Sequence, residues 1–319
     1  LGPATNLPSA TTSFVGRTAE VAQLLGWLAA PQPRLITIVG TGGVGKTRLA
    51  LEAAHQLVQA ASQPALGDGV WLINLTPLFD NCEHLLDSSA YLIHQLLTHC
   101  PRLRIIATSR EPLHINGEQL FRLDPLFVPA TDATSVDSSA VQLFVERAQL
   151  VRPGFTLSPE NAAVIAQICR QVDGLPLAVE LAVARIRMFT PQQLLAQLSD
   201  QQALLTTLRH GSRTAPTRHA SLQNLIEWSY SLLERATERR LFRRLALFAG
   251  AVRMADIQAV CAAFNEEIPS LGDVLPALES LVDKSLLVTV AVQQEVRFAM
   301  LTTIREFAWR KLVESGEGE

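Results

Sequence analysis

The sequence predicts an α/β fold: a parallel sheet, shorter than usual, followed by a helical subdomain and a winged-helix domain. Three observations carry this. Leu35 to Val39 is a short apolar, β-rich run that leads into Gly40–Gly45 and then into a helix-forming stretch. Strand-like and helix-like segments alternate as far as Pro129, the order that builds parallel strands, and helices follow. Near the end, Leu286 to Val292 and Val296 to Met300 read as a hairpin turning at Gln293-Gln294, behind several helices.

Taken in order, residues 1–13 are rich in Pro, Ser and Thr and read as an extended lead-in. Val21, Leu24, Leu25 and Leu28 recur at helical spacing, which predicts a helix over Thr18 to Ala30 with Thr18 as its N-cap, ended by Pro31 and Pro33. Leu35 to Val39 has the character of a strand buried on both faces, and a helix runs from about Lys46 to Ala60. Val70 to Leu75, set off by Gly67 and Gly69, is a second strand. Glu83 to His99 is a helix with Leu85, Leu86, Leu92, Ile93, Leu96 and Leu97 on its buried side. Arg104 to Thr108 is a third strand and Gln119 to Leu123 a candidate fourth. Helices then run over Ser138 to Val151, from Ser158-Pro159 to just before Gly174, over Pro176 to Phe189, and from Thr190-Pro191 to about Leu198. The polar stretch 206–219 reads as a linker. The resulting domains are 1–30 (lead-in and N-terminal helix), 31–130 (sheet core), 131–205 (helical subdomain) and 206–319 (winged helix).

Composition narrows the function. Of 319 residues, 48% are hydrophobic and 18% charged, so the chain can bury a sizeable core and is not a disordered protein. A net charge of −3 gives no basic field to recruit nucleic acid or acidic lipid. Cys82, Cys100, Cys169 and Cys261 show no zinc or redox spacing, which fits a reduced, cytoplasmic setting. No apolar run reaches the ~18 residues of a membrane span, and the N-terminus does not read as a signal peptide. Only Lys46, Lys284 and Lys311 are Lys, so a Lys at a motif position stands out.

Gly40-Thr41-Gly42-Gly43-Val44-Gly45-Lys46-Thr47 fits the pattern G-x-x-x-x-G-K-[ST] and lies between a predicted buried strand and a helix. Glycines let the backbone curl so that successive N–H groups point at phosphate oxygens, and the helix N-terminus adds positive potential. Lys46 is the candidate for the β- and γ-phosphates and the Thr47 hydroxyl for Mg²⁺. The adjoining Arg48 is grouped with these candidates. The sheet is therefore expected to be a P-loop NTPase parallel sheet. Asp80 is a second candidate Mg²⁺ ligand, or an N-cap, or both. The next residue, where hydrolytic members place a base, is Asn81, which cannot accept a proton; Glu83 is the fallback base, or only a first-turn acid. Arg110 follows the third strand at the ligand-binding edge of the sheet, as a γ-phosphate sensor or as a surface partner of Glu111.

An ordered set of motifs resembles a known family. Val15-Gly16-Arg17, the P-loop, Asp80-Asn81-Cys82-Glu83-His84, Thr108-Ser109-Arg110-Glu111-Pro112-Leu113 and Gly174-Leu175-Pro176-Leu177-Ala178 occur in succession. They are followed by Arg218-His219-Ala220-Ser221-Leu222, Trp228-Ser229-Tyr230-Ser231-Leu232-Leu233 and Met300-Leu301-Thr302-Thr303-Ile304-Arg305-Glu306-Phe307-Ala308. The chain resembles the STAND class of signal-transducing P-loop ATPases, related to NB-ARC modules, and most of all the ATPase core of AfsR/SARP-type and LuxR-type transcriptional regulators. The resemblance implies that Val15, Gly16 and Arg17 lie near adenine and ribose and that Pro176 packs on the adenine. It places Met300-Leu301-Thr302 where related proteins carry a Met-His-Asp nucleotide sensor, so the His contact is missing. It also implies effector and sensor domains outside this chain.

Only Thr76, Pro77, Leu78 and Phe79 separate Leu75 from Asp80, too few for a crossover helix and the strand the family places there. Either the chain lacks one unit of the sheet or a segment is absent from the sequence as it stands. The expected function is an ATP/ADP-dependent regulatory switch, with nucleotide-dependent self-association as one outcome, and at most slow Mg²⁺-dependent ATP hydrolysis. The rival reading is a transcription factor that binds DNA through its own winged helix. The charges after the linker balance, and the candidate recognition helix Val274 to Lys284 carries Glu279, Asp283 and a single Lys, which argues against direct DNA binding. A vigorous metabolic ATPase is a third reading, opposed by Asn81.

Overall fold

The computed structural model describes residues 4–10, 12–60, 69–72, 83–128, 138–199, 222–231, 233–263, 271–292 and 295–317. They fall into two compact units, one of residues 1–40 and 45–123, the other of residues 41–44 and 124–319.

Among the described residues, the first unit is built on three parallel strands, β1 (Leu35–Val39), β2 (Ile105–Ser109) and β3 (Glu118–Arg122), in the order β2-β1-β3. All five residues of β1 are buried, as its apolar run requires. Its register pairs Leu35 with Ile105 and Glu118, and Val39 with Ser109 and Arg122. Helices α1 (Thr18–Ala29), α2 (Lys46–Ala60) and α3 (Glu83–His99) complete the unit. Ile93 and Leu97 of α3 pack with Leu35, and Ile105, Ala107, Leu113 and Ile115 close round them. Arg34 donates to the carbonyls of Leu97, Cys100 and Pro101 at the C-terminal end of α3, and Arg104 to those of Leu28 and Ala30 at that of α1. Cations thus satisfy two helix C-termini, where carbonyls lack intrahelical partners.

Three sequence expectations change here. Thr18 is the first residue of α1, and the cap position belongs to Arg17, in the left-handed region at φ 63°. Leu92 is 45% exposed, because 100° of helical rotation carries it off the stripe of Ile93 and Leu97. Val70 forms a single parallel bridge, to Thr5 of the lead-in, instead of opening a strand. The Asn6 side chain both donates to the Leu72 carbonyl and accepts from its amide, replacing a strand partner. Among the described residues, β2 and β3 flank β1. The rest of that predicted strand lies outside the described residues.

The second unit begins with α4 (Ser139–Val151), α5 (Pro159–Gln171), α6 (Pro176–Ala184), a 3-10 turn over Arg185–Arg187, and α7 (Pro191–Ser199). Ser138 caps α4 and Ser158 shares a capping box with Asn161 at α5. The helix expected over Pro176 to Phe189 tightens into the 3-10 turn after Ala184. Arg147 of α4 donates to Glu180 of α6 at 3.0 Å.

Next come α8 (Leu222–Ser231), α9 (Ala236–Leu245), α10 (Met254–Ala263), α11 (Leu271–Asp283), the antiparallel pair β4 (Val288–Val292) and β5 (Glu295–Ala299), and α12 (Thr302–Glu314). Val252 pairs with Phe298 and adds one more bridge to the hairpin. This is a winged helix. The rings of Tyr230, Phe242 and Phe307, with centroids 5.3–6.3 Å apart, form its aromatic centre. The predicted turn at Gln293-Gln294 lies outside the described residues. Among the described residues no helix is long and apolar enough to cross a membrane.

Candidate nucleotide site

The glycine-rich loop leaves β1 at Gly40 and enters α2 at Lys46. Gly43 (φ 81°) and Gly45 (φ 100°) take left-handed conformations that side chains avoid. Val44 is wholly buried and anchors the loop, and the Leu49 amide closes the first turn of α2 on the Gly45 carbonyl at 2.9 Å. Turns of this kind point backbone N–H groups into one concavity, and the start of α2 adds its partial positive charge.

Within the first unit, Lys46 Nζ donates to the Gly40 carbonyl at 2.6 Å. Burial of the ammonium, and then the Arg110 guanidinium, hold its pKa down from 10.5 to about 7. Arg110 directly follows β2, whose last residue Ser109 pairs with Val39 at the end of β1. The parallel register thus carries a second cation to the edge where the loop starts. Two cations drawn together and partly stripped of water suit an anion.

Thr47 is exposed at the start of α2, where its hydroxyl can meet an ion. Asp80 lies outside the described residues, as does the side chain of Glu83, so neither candidate is placed. Arg48 donates to the Thr12 carbonyl at 2.7 Å, to its hydroxyl at 2.6 Å, and to the Ser13 carbonyl. Its guanidinium therefore ties the lead-in down just before Val15. Gly16 (φ 69°) and Arg17 (φ 63°) are left-handed in succession, and Arg17 is only 8% exposed. A non-glycine residue in that conformation costs about 1–2 kcal/mol, which is one way functional segments hold strain.

In the second unit, Pro176 opens α6, and the next amide, Leu177 N–H, donates to the Gly43 carbonyl at 3.2 Å. A β-carbon on Gly43 would stand 3.0 Å from that of Leu177. The Gly-Leu-Pro-Leu motif therefore touches the middle of the loop through a helix N-terminus.

One residue escaped the sequence reading. Asp173 (φ 54°) accepts from the amides of Thr302 and Thr303 at 3.0 and 2.9 Å and from the Thr303 hydroxyl at 2.9 Å. It caps α12 from 129 residues away in sequence. Burial pushes its pKa above the ordinary value, against the pull of these bonds. The available signal was an acid just past the C-terminal end of a predicted helix, where the dipole disfavours it.

Residues 233–313 match the winged helix-turn-helix domain family. A Mycobacterium tuberculosis (strain H37Rv) protein provisionally named an HTH-type transcriptional regulator is 39% identical over 90% of this chain, which spans only 35% of that protein. Their matched region runs to 328 residues against 319 in this whole chain, so that relative holds residues with no counterpart here. The regulatory protein AfsR of Streptomyces coelicolor is 28% identical over 89% of this chain and 31% of its own length. An uncharacterized protein of the same Mycobacterium tuberculosis strain is 34% identical over 97% of this chain and 83% of its own length. Among solved structures, a Walker-type ATPase of Pyrococcus abyssi aligns with TM-score 0.55 and 16% identity, over 93% of this chain and 96% of that one, a likeness of fold. The chain belongs to the family of this uncharacterized mycobacterial protein, with the fold of the P-loop ATPases and a C-terminal winged helix-turn-helix domain.

Proposed function

We propose that the chain is an ATP/ADP-binding regulatory switch module of the STAND, NB-ARC-like kind. The observation that carries this is Lys46, its ammonium buried beside Arg110 at the end of a glycine loop that opens a helix. Such a pair is stabilised by a polyphosphate. In this reading Gly40–Thr47 cradle the phosphates, Arg110 senses the terminal one, and Val15–Arg17, held by Arg48, and Pro176 border the base. Thr47, with Asp80, holds Mg²⁺, which neutralises phosphate charge. Bound ADP keeps the module closed, and exchange for ATP opens it to a partner or to a second copy. With Asn81 in the base position, hydrolysis runs far below ~1 s⁻¹. The relatives' greater length fits effector and sensor domains outside this chain.

Purified chain, denatured, releases ADP or ATP detectable by mass spectrometry. Lys46→Ala weakens nucleotide binding by roughly a hundredfold or more, the scale of losing one partner of a desolvated charge pair. Unchanged affinity in calorimetry overturns the reading.

The winged helix-turn-helix match and the relatives' names favour a second reading, direct DNA binding. Against it, Leu275 and Glu279 are exposed on α11, and an acid on that helix repels phosphate. A salt-sensitive mobility shift on duplex DNA at micromolar chain concentration decides for this second reading, and its absence for the first.

A further inference from the structure

Within five residues, the segment from Asp173 to Leu177 grips two distant parts of the second unit. At its start the Asp173 carboxylate takes three hydrogen bonds from Thr302 and Thr303, the first turn of α12. At its end the Leu177 amide holds the Gly43 carbonyl of the loop. Little slack lies between them. Gly174 (φ 63°) has no room for a β-carbon, which would stand 2.3 Å from the Leu126 carbonyl oxygen, and its own carbonyl accepts from the Leu126 amide at 3.0 Å. Pro176 fixes its own φ. A shift at one end therefore reaches the other instead of being absorbed. Leu175 and Thr303 also line one small cavity together with Thr41 and Gly42 of the loop, so segment, α12 and loop border a common space. The choice of an acid at position 173 points the same way. The C-terminal end of α5 disfavours an anion, whereas the N-terminus of α12 attracts one.

We propose that Asp173 is a latch that couples the winged helix to the glycine loop, holding α12 while its own segment holds Gly43, so that loop and α12 tighten or loosen together. The inference rests on the nucleotide reading only for what trips the latch. A phosphate that draws loop amides toward itself turns the Gly43 peptide and, through Leu177 to Asp173, strains the grip on Thr302 and Thr303.

Hydrogen–deuterium exchange on the 319-residue chain without added nucleotide tests the coupling. In Asp173→Asn an NH₂ group faces the Thr303 amide, and Thr303→Val deletes only the hydroxyl contact. Both variants speed exchange about tenfold at Thr302 and Thr303 and, in parallel, at Gly42 to Val44, within the ordinary range of coupling between two sites. Thr303→Ser keeps the wild-type pattern. Faster exchange confined to α12, or no change in either segment, overturns the latch. Should Asp173→Asn fail to fold, Thr303→Val decides alone, since it keeps the charged carboxylate and both amide bonds. As a second reading of the same coupling, pre-bound ADP leaves both variants about tenfold faster. A wild-type chain that retains no ADP refutes the nucleotide reading, while the exchange pattern still decides the latch.

Discussion

Lys46 and Asp173 are both charges withdrawn from water, and their surroundings are opposite. Lys46 donates to the Gly40 carbonyl, and burial, then the charge of Arg110, lower its pKa to about 7. Asp173 is met by two amides and a hydroxyl supplied by the chain itself. A buried charge held by donors of the chain itself is a joint, and one whose ammonium is disfavoured by burial and by a nearby like charge is suited to a ligand of opposite sign. The two regions should therefore respond in opposite ways to removal of the charge.

The largest effect is expected beside the joint. Gly174→Ala must hold a side chain at φ 63° against the Leu126 carbonyl, and should cost roughly 3 kcal/mol or more, read as a fall in the denaturant midpoint. A loss under 1 kcal/mol would mean that the segment yields, and the contrast between a rigid joint and an open site would weaken.

Removal of each charge comes next. Asp173→Ala leaves buried donors without an acceptor and lowers stability by roughly 1–3 kcal/mol. Lys46→Met removes a desolvated cation and raises the stability of the nucleotide-free chain by roughly the same amount, while nucleotide binding is lost. Thermal melts of the two variants with and without ATP give the four values needed, and the same sign for both substitutions breaks the comparison.

The smallest effect is that of pH. The folded-state pKa of Lys46, about 7, lies below its ordinary 10.5. Between these values the folded chain binds fewer protons than the unfolded one, so this group makes the chain more stable as pH rises from about 7 to 10.5. Bound phosphate favours the ammonium. Nucleotide affinity should thus decline above pH 7, by at most about tenfold per unit, and binding should take up a proton. Calorimetry at pH 8 in two buffers of different ionisation enthalpy reads that proton directly, and equal heats in both would show that Lys46 stays charged throughout.

Much of this was legible in the residues. The apolar run Leu35–Val39, the four glycines and the helix after Lys46 placed the loop between a buried strand and a helix, where the structure has it. Local patterns suffice there because the strand is buried on both faces and the loop's conformation is set by glycines within it. Pro159 and Pro191 marked helix starts for the same local reason. The fate of Val70 was not legible. A β-rich run signals readiness to pair, while the partner, here Thr5 of the lead-in, depends on which edges remain open once β2 and β3 have taken both sides of β1. That Arg48, grouped with the ligand candidates, donates to three lead-in oxygens was not legible either.

The residues alone thus fix the glycine-rich loop, the order of strands and helices and the winged helix near the C-terminus, since all of these follow from periodicity, glycine and proline within a few residues of each other. Long-range packing settles that the Arg110 charge acts on Lys46 and that Asp173 caps Thr302 and Thr303. The first pair is brought together by parallel register between strands some 65 residues apart, the second by packing across 129 residues, and neither distance leaves a trace in local spacing.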